Sequence, residues 1–310
     1  MPAVREKNSM ELNRRAFCKS AVFTASLAAL NPDSLFASPR KRKIAVGHTA
    51  ITWSNKDVAT AIADIGSEGF YGFETFGEVL ERWEQQPGGL GAVLKAHSLP
   101  LISAYCALNL TDASARKEEI AKAVRWASIV KKYGGHVAVI GPNAVDRKTY
   151  DFSQHKSTIV DSLNEICQAV TDIGITAALH QHTGTCVESK DETYEILHSV
   201  NTEYVRFGPD IGQLTKGGSD ATAVVRDFLP IIEHMHLKDW NGKDDHFAGY
   251  CPLGQGKVNV PAVLDLMAGR KVKGMIMVEL DYDGKESFAP LKLVQESKRY
   301  LQSQDVQFRH

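Results

Sequence analysis

The sequence predicts an α/β protein built as a single (β/α)8 TIM barrel, and three observations lead to this prediction. Short runs rich in β-branched residues alternate with longer segments of helical periodicity from residue 43 onward. Eight such strand-helix pairs fit the ~250 residues of one closed barrel. The turn after the first strand, His48-Thr49-Ala50-Ile51, lacks the glycine-rich loop of an open dinucleotide-binding sheet. The closed barrel is therefore favoured.

The elements are predicted in strict alternation along the chain. Strands are expected at residues 44–47, 71–76, 101–106, 136–140, 175–180, 204–207, 232–237 and 275–279. Helices are expected at residues 58–65, 77–97, 113–133, 156–173, 192–200, 221–228, 260–268 and 287–301. This alternation implies parallel strands joined by right-handed crossovers. No repeat or linker interrupts it, so residues 38–310 are predicted to form one domain.

Residues 1–37 have the pattern of an export signal. Arg14 and Arg15 precede an apolar run at 21–30, and small residues follow up to Ala37. The order resembles a twin-arginine signal, which predicts a periplasmic protein exported by that route. The run is shorter than the roughly 20 residues of a transmembrane helix, so no membrane anchor is expected. The alternative is an N-terminal helix packed on the domain, but the run has no polar face for solvent.

The charge balance bears on the partner. Lys and Arg number 36 against 37 Asp and Glu, which gives a formal net charge of -1. Such a chain provides no extended positive field for nucleic acid or for an anionic bilayer. A small-molecule substrate is therefore expected, and the oligomeric state stays open.

Metal-competent side chains stand at the ends of four consecutive predicted strands. Strand five ends in His180-Gln181-His182, strand six leads to Asp210, strand seven ends in His234-Met235-His236, and strand eight ends in Glu279. The carboxyl ends of barrel strands converge on one mouth. Imidazoles and carboxylates buried there are costly unless something compensates them, and a divalent cation compensates all of them together.

Five motifs carry a family resemblance over essentially all of residues 43–301. They are His180-Gln181-His182-Thr183-Gly184-Thr185, Pro209-Asp210-Ile211-Gly212-Gln213-Leu214, His234-Met235-His236-Leu237-Lys238-Asp239, Pro252-Leu253-Gly254-Gln255-Gly256 and Met277-Val278-Glu279. With them the chain resembles the xylose isomerase-like sugar phosphate isomerases and epimerases. The resemblance implies one divalent ion held by His180, Asp210, His236 and Glu279, and substrate contacts from His182 and Gln213.

Two positions depart from the patterns of that family. The tagatose and psicose epimerases carry Glu where this chain has His180, so an epimerisation with two opposed carboxylate bases is not expected. The His-x-His-x-x-Thr version resembles the inosose dehydratase branch, whose members remove water from a keto-cyclitol. That branch has His where Gln213 stands, and Gln can orient a hydroxyl but cannot carry a proton.

The resemblance implies proton abstraction beside a carbonyl, with Glu279 or His182 as the base. The expected activity is a metal-dependent isomerase or epimerase acting on a keto-sugar or polyol. The alternatives are an inosose dehydratase and a 3-keto-glycoside lyase. Mn²⁺ is the ion typical of the family, and His180 makes the site softer, so Zn²⁺ or Co²⁺ compete. No anion-binding loop is visible, which favours neutral sugars or cyclitols over sugar phosphates.

Four further residues are candidate substrate contacts, each with a structural alternative. Lys238 and Asp239 would hold hydroxyl groups or form an ion pair at the start of a loop. Glu74 would bind sugar or cap the next helix, and Trp53 would stack on a sugar face or pack within its loop.

Two other functional classes are less favoured. A nuclease similar to endonuclease IV needs several zinc ions and a basic groove, which the charge balance does not provide. A sugar-binding protein without catalysis would not need a complete set of four ligands.

Overall fold

A computed structural model describes residues 42–281 and 289–310, and the predicted export signal lies outside them. Eight parallel strands form the sheet: β1 (Val46–Thr49), β2 (Phe73–Phe76), β3 (Leu101–Leu108), β4 (Val137–Pro142), β5 (Thr176–Leu179), β6 (Val205–Phe207), β7 (Met235–Leu237) and β10 (Ile276–Val278). Two short strands, β8 (Asp239–Trp240) and β9 (Tyr250–Cys251), form a separate antiparallel hairpin.

The sheet closes on itself. Its strand order is β6-β5-β4-β3-β2-β1-β10-β7. Parallel bridges between Phe207 and Ile232 and between Asp210 and His236 join its two ends. The predicted (β/α)8 barrel is therefore confirmed, and all eight predicted strands coincide with observed ones.

The described helices surround the barrel. They are α1 (Val58–Ser67), α2 (Gly77–Glu84), α3 (Gly91–Ala96), α4 (Arg116–Lys132), α5 (Phe152–Asp172), α6 (Lys190–Ser199), α7 (Ile211–Lys216), α8 (Ala221–Asp227), α9 (Val260–Met267) and α10 (Pro290–Ser303). The prediction of one helix over 77–97 was wrong. Gly88 and Gly89 have φ values of 82° and 57°, and this left-handed backbone separates α2 from α3.

The sequence did not predict α7 or the β8–β9 hairpin. Both are too short to show a clear hydrophobic period. The helix α7 starts at Asp210, whose side chain accepts hydrogen bonds from the N–H groups of Gly212 and Gln213. Asp210 is therefore the N-cap of a helix at the barrel mouth.

Below the mouth, side chains fill the barrel. A Cβ atom at Gly47 would lie 2.6 Å from the sulfur of Met277, so only glycine lets that methionine pack against β1. This filled interior leaves the carboxyl ends of the strands as the place for a site. Among residues 42–281 and 289–310, none of the helices is long and apolar enough to span a bilayer.

Candidate active site and metal centre

The four residues predicted as metal ligands meet at the barrel mouth. His180 follows β5, Asp210 precedes α7, His236 lies in β7 and Glu279 follows β10. Their exposed fractions are 1%, 0%, 1% and 7%. His180 Nε2 lies 4.0 Å from Asp210 Oδ2, and His236 Nδ1 lies 3.1 Å from Glu279 Oε2. Donor atoms of His180, Asp210 and His236 all fall within 4.8 Å of one another, a spacing that suits one cation.

Two of the ligands have an orientation that leaves a lone pair free. His180 Nδ1 lies 3.2 Å from the carbonyl oxygen of Gly208 and donates to it, so Nε2 remains available. Asp210 Oδ1 accepts from Gly212 and Gln213 at 2.8 and 2.9 Å. Asp210 Oδ2 and His236 Nδ1 are buried and make no hydrogen bond of good geometry with the described residues. Such orphaned atoms fit a divalent cation well.

Lys238 adds a fixed positive charge next to these ligands. Its Nζ lies 2.9 Å from Asp210 Oδ2, 2.6 Å from Glu279 Oε1 and 2.7 Å from Asp281 Oδ1. Burial disfavours the ammonium, but the three carboxylates outweigh it and raise the pKa of Lys238 well above its ordinary value. Lys238 therefore stays charged and is not a nucleophile.

The surroundings shift the pKa values of the two histidines predicted as ligands in opposite directions, and they do the same to the two carboxylates. Burial lowers the pKa of His180 well below its ordinary value, which keeps the ring neutral and able to bind a cation. Burial also opposes charge on His236, but Glu279 and Glu74 raise its pKa well above the ordinary value. Burial raises the pKa of Asp210, whereas His236 and Lys238 overcome burial at Glu279 and lower the pKa of that carboxyl.

His182 and Gln213, both predicted to contact substrate, are joined in a hydrogen-bond network. The Gln213 amide nitrogen lies 2.8 Å from His182 Nε2, and His182 Nδ1 lies 2.7 Å from the carbonyl of Thr183. Gln213 Oε1 accepts from the hydroxyls of Thr183 and Tyr250 at 2.6 and 2.5 Å. This pattern assigns the ring proton of His182 to Nδ1, which donates to the carbonyl, and makes Nε2 the acceptor of the Gln213 amide hydrogen bond. Tyr250 was not predicted as a residue of the site, because the hairpin that carries it was not predicted.

Glu74 lines the cavity described below and is held by neighbouring side chains, and its predicted contact with sugar stays a prediction. Its Oε2 accepts from Ser103 Oγ at 2.5 Å and lies 2.9 Å from His234 Nε2. Its Oε1 lies 2.8 Å from His236 Nε2. The N-cap of α2 is Phe76, so Glu74 does not cap that helix. Burial opposes its charge, but His236 and His234 lower the pKa of Glu74 below its ordinary value.

Two residues predicted to contact substrate, Asp239 and Trp53, are buried and make hydrogen bonds within the protein. Asp239 is 1% exposed and accepts from the N–H groups of the loop that follows the hairpin, at Gly254, Gly256 and Val258. Trp53 is 5% exposed, its indole nitrogen lies 3.1 Å from Asp64 Oδ2, and its ring packs on His48. The oxygens of Asp239 are occupied by backbone N–H groups, and neither Asp239 nor Trp53 lines the cavity described below, so their contacts with substrate stay predictions.

A cavity of about 140 Å³ opens onto two of the predicted ligands, His180 and Glu279. It is smaller than the about 300–1,000 Å³ typical of sites for drug-sized molecules, so it suits a small substrate. The side chains that line it include Glu74, Tyr105, His180, His182 and Glu279. Burial and Glu279 raise the pKa of Tyr105, which keeps its phenol protonated. Tyr105 is an inward-facing strand residue that sequence reasoning passed over.

Comparison with known proteins defines the class of this barrel. The family model described as "Xylose isomerase-like TIM barrel" matches residues 60–304. The chain therefore belongs to the xylose isomerase-like TIM barrel family. This result confirms the resemblance read from the five motifs.

Individual relatives differ in their named activities. An inosose dehydratase from Clostridium botulinum is 21% identical over 84% of this chain and 96% of its own length. The solved structure of a protein named IOLI with a bound zinc atom is 19% identical, with a TM-score of 0.67 over 84% of this chain and 98% of that one. The 3-keto-D-glucoside 4-epimerase YcjR from E. coli is 15% identical, with a TM-score of 0.63 over 84% and 99%. Both structural likenesses show the shared fold.

Proposed function

We propose that this chain is a divalent-metal-dependent lyase that removes water from a keto-cyclitol or keto-sugar after abstracting a proton beside the carbonyl. The observation that carries the proposal is the buried set of His180, Asp210, His236 and Glu279, of which His180 and Glu279 line a small cavity. The similarity to an inosose dehydratase supports dehydration over the isomerisation expected first from the sequence. The His-x-His-x-x-Thr motif supports the same choice.

The donor set suits a divalent ion with mixed nitrogen and oxygen ligands. Two imidazoles and two carboxylates match Zn²⁺, Co²⁺ or Mn²⁺, and the zinc in the IOLI structure supports zinc. When bound, such an ion supplies Lewis acidity toward a carbonyl oxygen and an adjacent hydroxyl. The remaining chemistry belongs to side chains of this chain.

We assign the proton abstraction to His182. His182 lines the cavity, and its Nε2 accepts a hydrogen bond from the Gln213 amide, which fixes the ring in that tautomer; Nε2 takes the substrate proton once bound substrate displaces this amide. Glu279 is a weaker base because His236 and Lys238 lower its pKa. Tyr105 keeps its proton, so its hydroxyl can donate a hydrogen bond to a leaving or bound hydroxyl group.

Lys238 supports the charge that develops on the substrate. Removal of a proton next to a carbonyl places negative charge on the carbonyl oxygen, and fixed positive charge in a dry site stabilises it. The Lys238 ammonium is wholly buried and 2.6 Å from Glu279 Oε1, so it acts from behind the ligand shell. The predicted direct contact between Lys238 and substrate stays a prediction.

The test is a turnover assay with defined ions. The purified chain is stripped with a chelator and reloaded with Zn²⁺, Co²⁺ or Mn²⁺, and inososes, 3-keto-glycosides and ketoses are incubated with it in D2O. Proton NMR and ultraviolet absorbance should show deuterium at the carbon beside the carbonyl and a dehydrated enone. His182→Asn should retain the ion and lose turnover, whereas the surface variant Glu203→Gln should match the wild type. Absence of both exchange and product with every ion would refute the proposal.

The second candidate is an epimerase acting on a 3-keto-glycoside. It is supported by the likeness to YcjR over nearly the whole barrel. Both reactions begin with the same proton abstraction, so the same assay separates them. An inverted hydroxyl carbon without loss of water would establish the epimerase and exclude the dehydratase.

We also propose export by the twin-arginine route, on the basis of residues 1–37. In a bacterium that has this translocase, the wild-type chain should reach the periplasm. The double variant Arg14→Lys, Arg15→Lys should stay in the cytoplasm. Cytoplasmic retention of the wild type would overturn this proposal.

A further inference from the structure

Glu74 is a buried carboxylate that the ligand set does not use. It is 2% exposed and lies on β2, which β1 separates from β10, the strand that leads to Glu279. The register of β2 with β3 pairs Glu74 with Ser103, whose hydroxyl donates to Glu74 Oε2 at 2.5 Å. An ionised carboxylate in a barrel interior needs further donors, and they come from β7.

His234 holds one side of this carboxylate. The backbone N–H of Met275 donates to His234 Nδ1 at 3.3 Å, which places the ring proton on Nε2. His234 Nε2 lies 2.9 Å from Glu74 Oε2. With Ser103 and His234 at Oε2, Glu74 Oε1 is left for the second histidine of the strand.

His236 meets Glu74 with one nitrogen and the cation site with the other. Its Nε2 lies 2.8 Å from Glu74 Oε1, and its Nδ1 lies 3.1 Å from Glu279 Oε2. Neither contact meets the geometry of a hydrogen bond, so both are close polar contacts between imidazole and carboxylate. A proton on Nε2 would leave the Nδ1 lone pair toward Asp210 and His180.

We propose that Glu74 is a positioning residue that orients the His236 ring so that Nδ1 faces the cation. This inference rests on the proposed metal-dependent function. The ligand His180 obtains the same support from the Gly208 carbonyl. A carboxylate behind a ligating histidine fixes the ring and strengthens the ligand, and its loss typically costs roughly 10- to 100-fold in metal affinity.

The main experiment measures ion binding by the full chain after chelator treatment. Zn²⁺ is titrated against a competing chromophoric chelator, and bound zinc is counted by elemental analysis. Glu74→Gln should bind one ion with an affinity lowered roughly 10- to 100-fold. Glu119→Gln is the matched control, because Glu119 is also a buried carboxylate, 8% exposed, but contacts Lys122 and the Asn109 N–H. Its affinity should stay within twofold of the wild type.

A second readout separates orientation from general loss of structure. Nitrogen-15 NMR of the histidine rings should show an altered Nε2 environment for His236 in Glu74→Gln, with the His180 signals unchanged. If Glu74→Gln does not fold, Ser103→Ala serves instead, since it removes the hydroxyl that holds Glu74. A loss of zinc affinity of threefold or more in that variant supports the proposal, and unchanged affinity overturns it.

The outcomes distinguish this inference from the proposed function. Wild-type protein that binds no zinc refutes the metal-dependent function itself. Wild-type protein that binds one ion, with Glu74→Gln equal in affinity and in ring signals, overturns only the role of Glu74. Two ions per wild-type chain and one in Glu74→Gln would make Glu74, His234 and His236 a second ion site, and would also overturn the positioning role.

Discussion

Two buried aspartates near β7 have opposite surroundings. Asp239 accepts from the N–H groups of Trp240, Gly254, Gly256 and Val258, so both of its oxygens are satisfied by backbone. Asp210 uses Oδ1 as a helix cap, while its Oδ2 lies 2.9 Å from the Lys238 ammonium and 4.0 Å from the His180 ring and has no well-formed hydrogen bond with the part of the chain that the structure describes.

The difference separates a carboxylate that builds structure from one kept for a ligand. A fully satisfied buried carboxylate has no remaining lone pair to offer, whereas a half-satisfied one does. By this criterion the loop around Asp239 supports the mouth, and the region around Asp210 is the proposed place for the chemistry. Burial alone does not separate them, since both residues are 1% exposed or less.

The substitution Asp210→Asn is expected to have the largest effect on metal binding and turnover. Asparagine keeps an oxygen for the N–H groups of Gly212 and Gln213, so α7 should persist. Loss of the anionic Oδ2 should lower metal affinity and kcat/KM by about 100-fold or more. Zinc titration and the turnover assay measure this, with circular dichroism melting as the control. Retained metal affinity would show that Asp210 is not a ligand.

Asp239→Ala should act on stability instead. It leaves buried loop N–H groups without an acceptor, which should lower the free energy of unfolding by about 4 kcal/mol. Urea unfolding measures this loss. Zinc affinity of the folded variant should stay within a few-fold of the wild type. A 100-fold loss of zinc affinity at unchanged stability would erase the distinction between the two aspartates.

Buried histidines extend the comparison to pH. Burial lowers the pKa of His48 to about 4, and its Nδ1 contacts the Thr49 carbonyl at 2.7 Å. Because the unfolded chain binds a proton near pH 6.5 and the folded His48 does not, stability is present above pH 6.5 and is lost as pH falls toward 4. The contribution is about 3 kcal/mol.

This dependence is measured by urea unfolding between pH 7 and 4 in the presence of a chelator. His180 and His234 shift in the same direction, so the wild type should lose stability steeply. His48→Gln should show a visibly shallower loss. An identical pH profile in the two proteins would mean that folding does not shift the pKa of His48.

The smallest expected effect concerns the link between the two regions. Tyr250 belongs to the hairpin, yet its hydroxyl donates to Gln213 Oε1 in the mouth at 2.5 Å. Tyr250→Phe removes one buried hydrogen bond, which should cost about threefold to tenfold in kcat/KM with metal affinity unchanged. Steady-state kinetics test this expectation. No kinetic effect would show that the hairpin supports only the fold.

Much of this arrangement could be predicted from the sequence. The eight strands were visible as β-rich runs, and His180, Asp210, His236 and Glu279 were recognisable because each follows or ends such a run. Strand ends of a closed barrel converge, so sequence position alone brings these residues together. The choice of His236 over His234 needed the family pattern, because both lie on the same face of the strand.

What could not be predicted is the surroundings of residues whose neighbours lie far away in the sequence. Glu74 lies on a strand far from His236 in sequence, and only barrel closure brings β2 and β7 to the same interior. Asp239 looked like a mouth residue because no sequence period shows that the loop at 254–258 folds back onto it. Trp53 was placed at the mouth, but its hydrogen bond to Asp64 draws it against α1.

The order of side chains around β7 makes the mouth intolerant of a change in length. His236 and Lys238 both contact Glu279, Leu237 between them lies in the hydrophobic core, and Asp239 anchors the next loop. Because alternate residues of a strand face opposite sides, one residue inserted here would send the ammonium outward and a leucine into the polar cluster. Design or natural variation in this barrel therefore has freedom in loop sequence, but none in the spacing of these four positions.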